Sequence, residues 1–204
     1  MCGFLSCDRQ LSRPLLEALP RFLCVPFSDG PGAAWLMSLL RRGAQENTAP
    51  GPGSGLLLAK LAELLFVEAM RRYIEALPEQ QTGWLAALRD RYVGRALSLM
   101  HERPAHDWSV DDLAERVGLS RSALAQRFAT LLGQPPMQYL TRWRLVLAGA
   151  ALRSSNRATP LVAEDSGYES ESAFHRAFKR EFGMPPAAWR RQGTRNPSGA
   201  VSSP

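Results

Sequence analysis

Residues 113–136, LAERVGLSRSALAQRFATLLGQPP, and residues 162–186, VAEDSGYESESAFHRAFKREFGMPP, carry the same pattern of amino acids. The two copies lie 49 residues apart up to Gly118 and Gly167, and 50 apart from Ser120 and Ser170 onward. One residue has therefore been inserted after the glycine. Because a unit of this length is too short to bury a core alone, the two copies form one domain.

Each copy predicts two helices that meet across a glycine turn. In the first copy, apolar residues at helical spacing follow Ser109, which together with Asp112 predicts a capped helix start. Gly118 is free to take positive φ, and Ser120 is placed to cap a second helix. This arrangement is typical of a helix-turn-helix. The second copy repeats it, with Pro160 in the first turn of its short helix.

Residues 137–152 join the units and predict one long connecting helix, since apolar residues recur near helical spacing without proline. The same spacing predicts core positions, not base-stacking positions, for Phe128, Phe174, Phe178, Tyr139, Trp143 and Trp189. The second helix of each unit keeps a polar outer face. That face comprises Arg121, Ser122, Ala125 and Gln126 in the first unit, and Glu171, Ser172, His175, Arg176, Lys179 and Arg180 in the second.

Residues 92–191 closely resemble the DNA-binding domain of AraC/XylS-type transcription regulators. The motif that carries the resemblance is GYESESAFHRAFKREFGMPPAAWR at 167–190. In that family, two helix-turn-helix subdomains joined by a connecting helix place two recognition helices in successive major grooves. The resemblance implies contacts to double-stranded DNA from Ser122, Ala125, Gln126, Glu171, Ser172, His175 and Arg176.

The sequence departs from the family pattern at two places. Thr159, Leu161 and Ser166 stand where the family usually has apolar, polar and valine residues, which predicts weaker packing of the second short helix. Gln126 replaces a common arginine, so the first recognition helix loses a guanine-type contact. A glutamine can instead form a bidentate hydrogen bond to adenine.

Arg176 and Lys179 are the strongest candidate DNA contacts, because the repeat turns their face outward. The alternative is that they form ion pairs with Glu171 or Glu181 on an ordinary solvated helix. His175 has no second ligand nearby in the sequence, so no metal site is predicted.

The charge balance suits a polyanionic partner. The 204-residue chain has a formal charge of +6, and residues 92–191 hold 14 of its Lys and Arg against 10 Asp and Glu. Arginine dominates, which favours bidentate contacts to phosphate and guanine. No stretch of about 18 apolar residues and no signal peptide occurs, so we expect a cytoplasmic protein without a membrane contact.

The predicted fold class is all-α, with two helix-turn-helix subdomains and a connecting helix, preceded by a helical linker and a short remnant of a β sensor domain. Residues 1–27 resemble the end of the cupin-like sensor of one AraC subgroup. Residues 28–83 form the linker, with a flexible loop at 46–55. Residues 84–192 form the DNA-binding domain. Residues 193–204 are expected to be disordered.

Residues 56–77 predict a strong amphipathic helix. In the resembling subgroup such helices are a dimer surface, which makes a homodimer one expectation. The alternative is that this helix packs on residues 35–40 and on the helix at 90–101.

Cysteine usage argues against catalysis. DNA-repair proteins that share this module hold zinc with four cysteines, whereas this chain has three, without ligand-like pairing. Gly-rich phosphate loops, GxSxG and HExxH are absent from the sequence, so no enzyme activity and no cofactor are predicted. Cys2 and Cys7 lie close enough in sequence for a redox switch, against which ordinary buried thiols remain the alternative.

The sequence therefore predicts a sequence-specific transcription regulator, an activator, with RNA polymerase as a candidate partner. The alternative function is a truncated helical module that dimerises with or sequesters a full-length regulator.

Overall fold

The computed structural model of the protein describes residues 12–25, 33–78 and 80–195. Those ranges contain helices and no strand, and none of their helices is long and apolar enough to cross a membrane. The helices are α1 (Arg13–Ala18), α2 (Ala33–Thr48), α3 (Ser54–Glu75), α4 (Trp84–Arg89), α5 (Arg91–Glu102), α6 (Val110–Val117), α7 (Arg121–Leu132), α8 (Pro136–Ser154), α9 (Thr159–Asp165), α10 (Glu171–Phe182) and α11 (Pro186–Arg195). The predicted all-α fold class is confirmed.

The two sequence copies fold as two equivalent units, α6 with α7 (unit 1) and α9 with α10 (unit 2). Gly118 and Gly167 both take left-handed φ, 77° and 76°. The same two backbone hydrogen bonds close each turn. They run from Gly118 N to Glu115 O (3.1 Å), Leu119 N to Ala114 O (2.9 Å), Gly167 N to Glu164 O (2.8 Å) and Tyr168 N to Ala163 O (3.0 Å).

The predicted helix starts are present. Ser109 and Asp112 form a capping box at the start of α6. Ser120 and Ser170 each accept a hydrogen bond of 3.2 Å from the amide three residues on, at the starts of α7 and α10. Such caps satisfy backbone donors that have no partner inside the helix.

Unit 2 opens on a less supported helix. α9 begins without a side-chain cap, and Leu161 on it is 49% exposed. Ser166 is buried, and its hydroxyl donates to the carbonyl of Val162 at 2.7 Å. The local bond satisfies a hydroxyl that replaces an apolar side chain at this position. Val162 and Ala163 of α9 are nevertheless 1% and 2% exposed, as buried as Leu113 and Ala114 of α6, so weaker packing of this helix stays a prediction.

Two separate hydrophobic cores share α8. The first joins α4 to α8 through Ala87, Val93, Ala96, Leu97, Met100, Trp108, Leu113, Ala114, Leu124, Phe128, Tyr139 and Leu140. The second joins α8 to α10 through Leu145, Ala148, Leu152, Val162, Ala163, Phe174, Ala177 and Phe178. The predicted connecting helix thus forms a wall of both units.

The aromatic residues of the repeat are core residues, as predicted. Phe128, Phe174 and Phe178 are fully buried, and Tyr139 is nearly so. Trp143 and Trp189 are half-buried and pack against the first and second core respectively. None of the six is therefore placed to stack on a nucleic-acid base.

The helix α11 is docked on α8 by side-chain hydrogen bonds to backbone carbonyls. Trp189 Nε1 donates to Gly149 O at 3.0 Å, and Arg190 Nη1 donates to Ser155 O at 3.2 Å. Because α11 runs to Arg195, residues 193–195 are helical and not part of a disordered tail. Residues 196–204 lie outside the described residues.

The loop predicted at residues 46–55 is shorter than expected. α2 continues to Thr48 and α3 begins at Ser54, so residues 49–53 alone connect them. Glu46 explains the extension, because its carboxylate pairs with Arg42 one turn back and accepts a 2.5 Å hydrogen bond from Ser54 Oγ. An ion pair between residues i and i+4 stabilises a helix, so α2 extends past the residue at which the sequence composition predicted its end.

The helix α3 packs on α2 and α4. The predicted packing partner at residues 35–40 belongs to α2, and the contact with α4 was not predicted. In the described part of the predicted sensor remnant, residues 12–25, the regular element is the helix α1. The other residues of 1–27 lie outside the described ranges.

Replacing Gly118 with valine is expected to lower the free energy of unfolding by about 1 to 3 kcal/mol, because a β-branched residue is strained at positive φ. A Cβ at Gly118 would meet no atom within 4 Å, so contact of the Cβ adds nothing to the backbone strain. Chemical denaturation followed by circular dichroism measures the loss. Gly51→Val is the control, since that glycine has open space and no positive φ; equal losses in both variants would contradict the assignment.

Candidate nucleic-acid interface

The outward face of α10 carries three exposed cations, Arg176, Lys179 and Arg180. Within the described ranges none of them forms an ion pair. Of the predicted alternative partners, Glu181 accepts from Arg142 Nε at 2.8 Å, whereas Glu171 lies on this same face, 3.4 Å from a histidine ring. The face therefore presents three cations and one carboxylate, and none of the three cations is paired with it.

His175 lies at the edge of this face. It is half-buried, and its Nε2 is buried without a hydrogen bond. The carboxylate of Glu171 approaches that nitrogen to 3.4 Å, a contact that becomes an ion pair only when the ring is protonated. The ring packs edge-on against Phe174. His175 thus combines a packing role with partial access from outside.

The outward face of α7 has the same shape but less free charge. Ser122 and Gln126 are exposed and Ala125 is half-buried. Arg121 Nη1 donates to Asp111 Oδ2 of α6 at 2.9 Å. Both partners are largely exposed, and such surface pairs contribute about 0 to 1 kcal/mol, so the guanidinium can exchange this carboxylate for another anion.

A second arginine of α7 has a structural role. Arg127 Nε donates to Asp90 Oδ2 at 2.7 Å, and Asp90 also caps α5 by accepting from the amides of Tyr92 and Val93 at 3.0 and 2.9 Å. Burial acts to raise the pKa of Asp90, but these hydrogen bonds outweigh it and hold the pKa below its usual value of 3.8. The ionised carboxylate ties α7 to the start of α5.

Two arginines of α8 lie between the two cores, and sequence reasoning did not single them out. Arg142 pairs with Glu181 at the end of α10. Arg144 Nε donates to Pro104 O at 2.7 Å, and its Nη2 donates to His106 O at 2.8 Å. The only signal in the sequence is that two of the three arginines of α8 fall among the apolar residues in the middle of the helix.

The surroundings of Arg144 are partly shielded from water. Burial lowers the pKa of its guanidinium, whereas Tyr168 and Asp107 act to raise it. Burial also raises the pKa of the Tyr168 phenol, whose hydroxyl has no hydrogen-bond partner. Between the two cores, the positive charge of Arg144 is therefore stabilised mainly by hydrogen bonds to backbone carbonyls.

A cavity of about 350 Å³ lies between α1, α3, α4 and α8. Trp84 Nε1 donates to the hydroxyl of Tyr139 at 3.2 Å, which in turn lies 2.8 Å from His101 Nε2. Burial lowers the pKa of His101, which favours the neutral ring and a hydrogen bond donated by the tyrosine. None of the predicted DNA-contact residues lines this cavity.

Comparison with known proteins agrees with this geometry. A helix-turn-helix domain model matches residues 113–192 and a cupin model matches residues 1–75. A putative AraC-like transcription regulator of Streptomyces lividans is 42% identical over 180 residues, covering 88% of this chain and 59% of that protein. The RCS-specific HTH-type transcriptional activator RclR of Escherichia coli is 32% identical over 191 residues, covering 93% and 66%.

Solved structures give the same result. The DNA-binding domain of AdpA, a global transcriptional factor crystallised with a target DNA, matches with a TM-score of 0.50 and 31% identity, covering 54% of this chain and 99% of that one. The chain belongs to the AraC family of transcription regulators. Its AraC-family relatives are regulators and not enzymes.

The chain spans 59% and 58% of the length of two curated AraC-like relatives. The cupin match ends at Glu75, the last residue of α3, and so includes residues 28–75 of the segment 28–83 predicted as a linker. Of the cysteines, Cys2 and Cys7 lie outside the described residues, while Cys24 is exposed and has a free thiol. The redox switch at Cys2 and Cys7 stays a prediction.

Asp90→Asn is expected to lower the free energy of unfolding by about 1 kcal/mol at pH 7, because the amide keeps the cap but loses the charge that holds Arg127. Since the pKa of Asp90 is lowered in the folded protein, its contribution is complete above the unfolded value of 3.8 and is lost as pH falls below it. Denaturation of both proteins from pH 7 to pH 3 measures the difference.

The control is Asp111→Asn, which removes the other Asp–Arg pair of the same recognition helix. Because that pair is exposed, we expect less than about 0.5 kcal/mol at any pH. A difference for Asp90→Asn that persists unchanged at pH 3 would be inconsistent with the assignment of charge to Asp90.

Proposed function

We propose that this chain binds double-stranded DNA at specific sequences and regulates transcription, with α7 and α10 in two successive major grooves. The observation that carries the proposal is the unpaired cationic face of α10, repeated in shape on α7 by the duplication. The likeness to a DNA-binding domain solved with its target DNA supports it. Recognition helices about one helical turn apart, roughly 34 Å, would read one face of the duplex.

The proposed contacts to DNA are of two kinds, those to phosphates and those to base edges. In this proposal Lys179 and Arg180 neutralise phosphates, which supplies affinity that depends on salt but not on sequence. Arg176 and Gln126 read base edges, since arginine pairs with guanine and glutamine with adenine in bidentate geometry. Ser122, Ala125, Glu171, Ser172 and His175 complete the two faces, and Arg121 joins the first when it releases Asp111.

We further propose that the protein activates transcription, as the name of the Escherichia coli relative says of that protein. An activator needs a contact to the transcription machinery, which makes RNA polymerase the candidate second partner. Transcription in vitro from a bound promoter fragment, with and without the protein, tests the sign of regulation.

Arg176→Ala is expected to weaken binding to a selected duplex by about 1 to 3 kcal/mol and to relax specificity in one half of the site. The physical reason is the loss of one bidentate base contact from unit 2, while unit 1 is untouched. Selection from random duplexes gives the site, and gel-shift titration against single-base variants measures both effects.

Arg71→Ala is the matched control, because it removes the same charge from an exposed position on α3. We expect it to leave the base preference unchanged. If Arg176→Ala binds as the native protein does, or loses affinity for every base in both halves equally, the assigned reading face is wrong.

One observation favours self-association as well. Leu56, Leu64 and Val67 on α3 are 69%, 46% and 55% exposed, although they are large and apolar. Such residues grouped on one helix are typical of an interaction surface. We propose that a second copy of the chain covers them to form a homodimer.

The double variant Leu64→Gln, Val67→Gln is expected to sediment as a monomer at concentrations where the native protein is a dimer, because two buried apolar contacts are lost from each protomer. Analytical ultracentrifugation with and without duplex measures this. A native protein that is monomeric throughout would rule the dimer out. Stable dimers that bind no duplex would instead support the alternative function, a module that sequesters a full-length regulator.

A further inference from the structure

The connecting helix passes from one core to the other within a few residues. Leu140 is fully buried in the first core, and Leu145 is buried in the second. Arg144 lies at this crossing, where neither core surrounds it. A contact at this crossing is placed to fix the two units relative to each other, in addition to the helix itself.

On one side, Arg144 holds the loop that leads into unit 1. Its guanidinium donates to the carbonyls of Pro104 and His106 at 2.7 and 2.8 Å. That loop is itself anchored, because Trp108 is buried in the first core and donates from Nε1 to Arg103 O at 3.0 Å. The guanidinium is therefore attached to a rigid part of the first half of the domain.

On the other side, Arg144 lies against the turn of unit 2. A Cβ added to Gly167 would stand 3.0 Å from Arg144 Cζ and 3.3 Å from its Nε and Nη1. The equivalent glycine of unit 1, Gly118, has no atom within 4 Å of such a Cβ. The close approach of Arg144 to the glycine turn is thus found in unit 2 and not at the equivalent turn of unit 1.

We propose that Arg144 is a positioning residue that fixes the angle between the two units and so sets the spacing between the two half-sites on DNA. This inference rests on the proposed function. The guanidinium of Arg144 is planar, so its two hydrogen bonds to the carbonyls of the loop also fix the side of the group that contacts the Gly167 turn. A lysine keeps the charge but not the two directed hydrogen bonds, and a methionine keeps only the length.

The DNA experiment compares the selected duplex with duplexes lengthened or shortened by one base pair between the half-sites. Native binding is expected to fall about tenfold for either change, because each base pair rotates one half-site by about 36° and moves it by about 3.4 Å. In Arg144→Met and Arg144→Lys the three duplexes are expected to bind within about threefold of each other.

A merely structural role would weaken binding to all three duplexes in proportion. Arg153→Met is the control, as an exposed arginine of α8 beyond the crossing, and it should keep the native dependence on spacing. Steep dependence retained in both Arg144 variants overturns the inference. A native protein that binds no selected duplex overturns the proposed function instead.

The relative orientation of the two units can also be measured without DNA, which tests the role of Arg144 independently of the proposed function. Residual dipolar couplings of backbone amides in units 1 and 2 are expected to fit one alignment tensor in the native protein and two in Arg144→Met. A single tensor for both proteins overturns the inference.

A double-mutant cycle checks the contact itself. Gly167→Ala and Gly118→Ala meet nearly equal backbone strain, so the extra loss of stability in Gly167→Ala reports the approach of Arg144. That extra loss should disappear when Arg144→Met is combined with Gly167→Ala, and its persistence would contradict the contact.

Discussion

The burial of α8 against two cores is the constraint on which the rest of the domain depends. Each unit contributes two short helices, which cannot enclose a hydrophobic core by themselves. Tyr139 and Leu140 complete the first core, and Leu145 and Leu152 complete the second. A helix of 19 residues is a rod of about 28 Å, so this shared wall also determines how far apart the units stand.

Local features of this fold follow from the sequence, whereas contacts between distant residues do not. The repeat predicted the turns at Gly118 and Gly167 and the serine caps, because each needs only a few neighbouring residues. The extent of α2 depended on a hydrogen bond from Ser54 to Glu46, eight residues away. The role of Arg144 depends on carbonyls 38 and 40 residues away, which no helical periodicity reports.

The same limit applies to charge. The sequence predicted Arg121 on the outer face of α7, yet that arginine pairs with Asp111, and Arg127 of the same helix pairs with Asp90. The cations of α10 stand at positions where α7 has Gln126, Ala129 and Thr130, and within the described ranges none of them forms an ion pair. Glu181, a possible partner for them, accepts from Arg142 instead. The duplication therefore produced two similar shapes whose electrostatic character differs both in the positions of the cations and in their partners.

The extra residue of the second copy falls between the left-handed glycine and the serine that caps the next helix. Each residue added within a helix would turn everything after it by about 100° and carry inward side chains to the outside. Placed ahead of the cap, the insertion leaves Phe174 and Phe178 of α10 as fully buried as Phe128 of α7. In this fold the turns accommodate changes of chain length. The same face of α7 and α10 therefore points to the core in both copies.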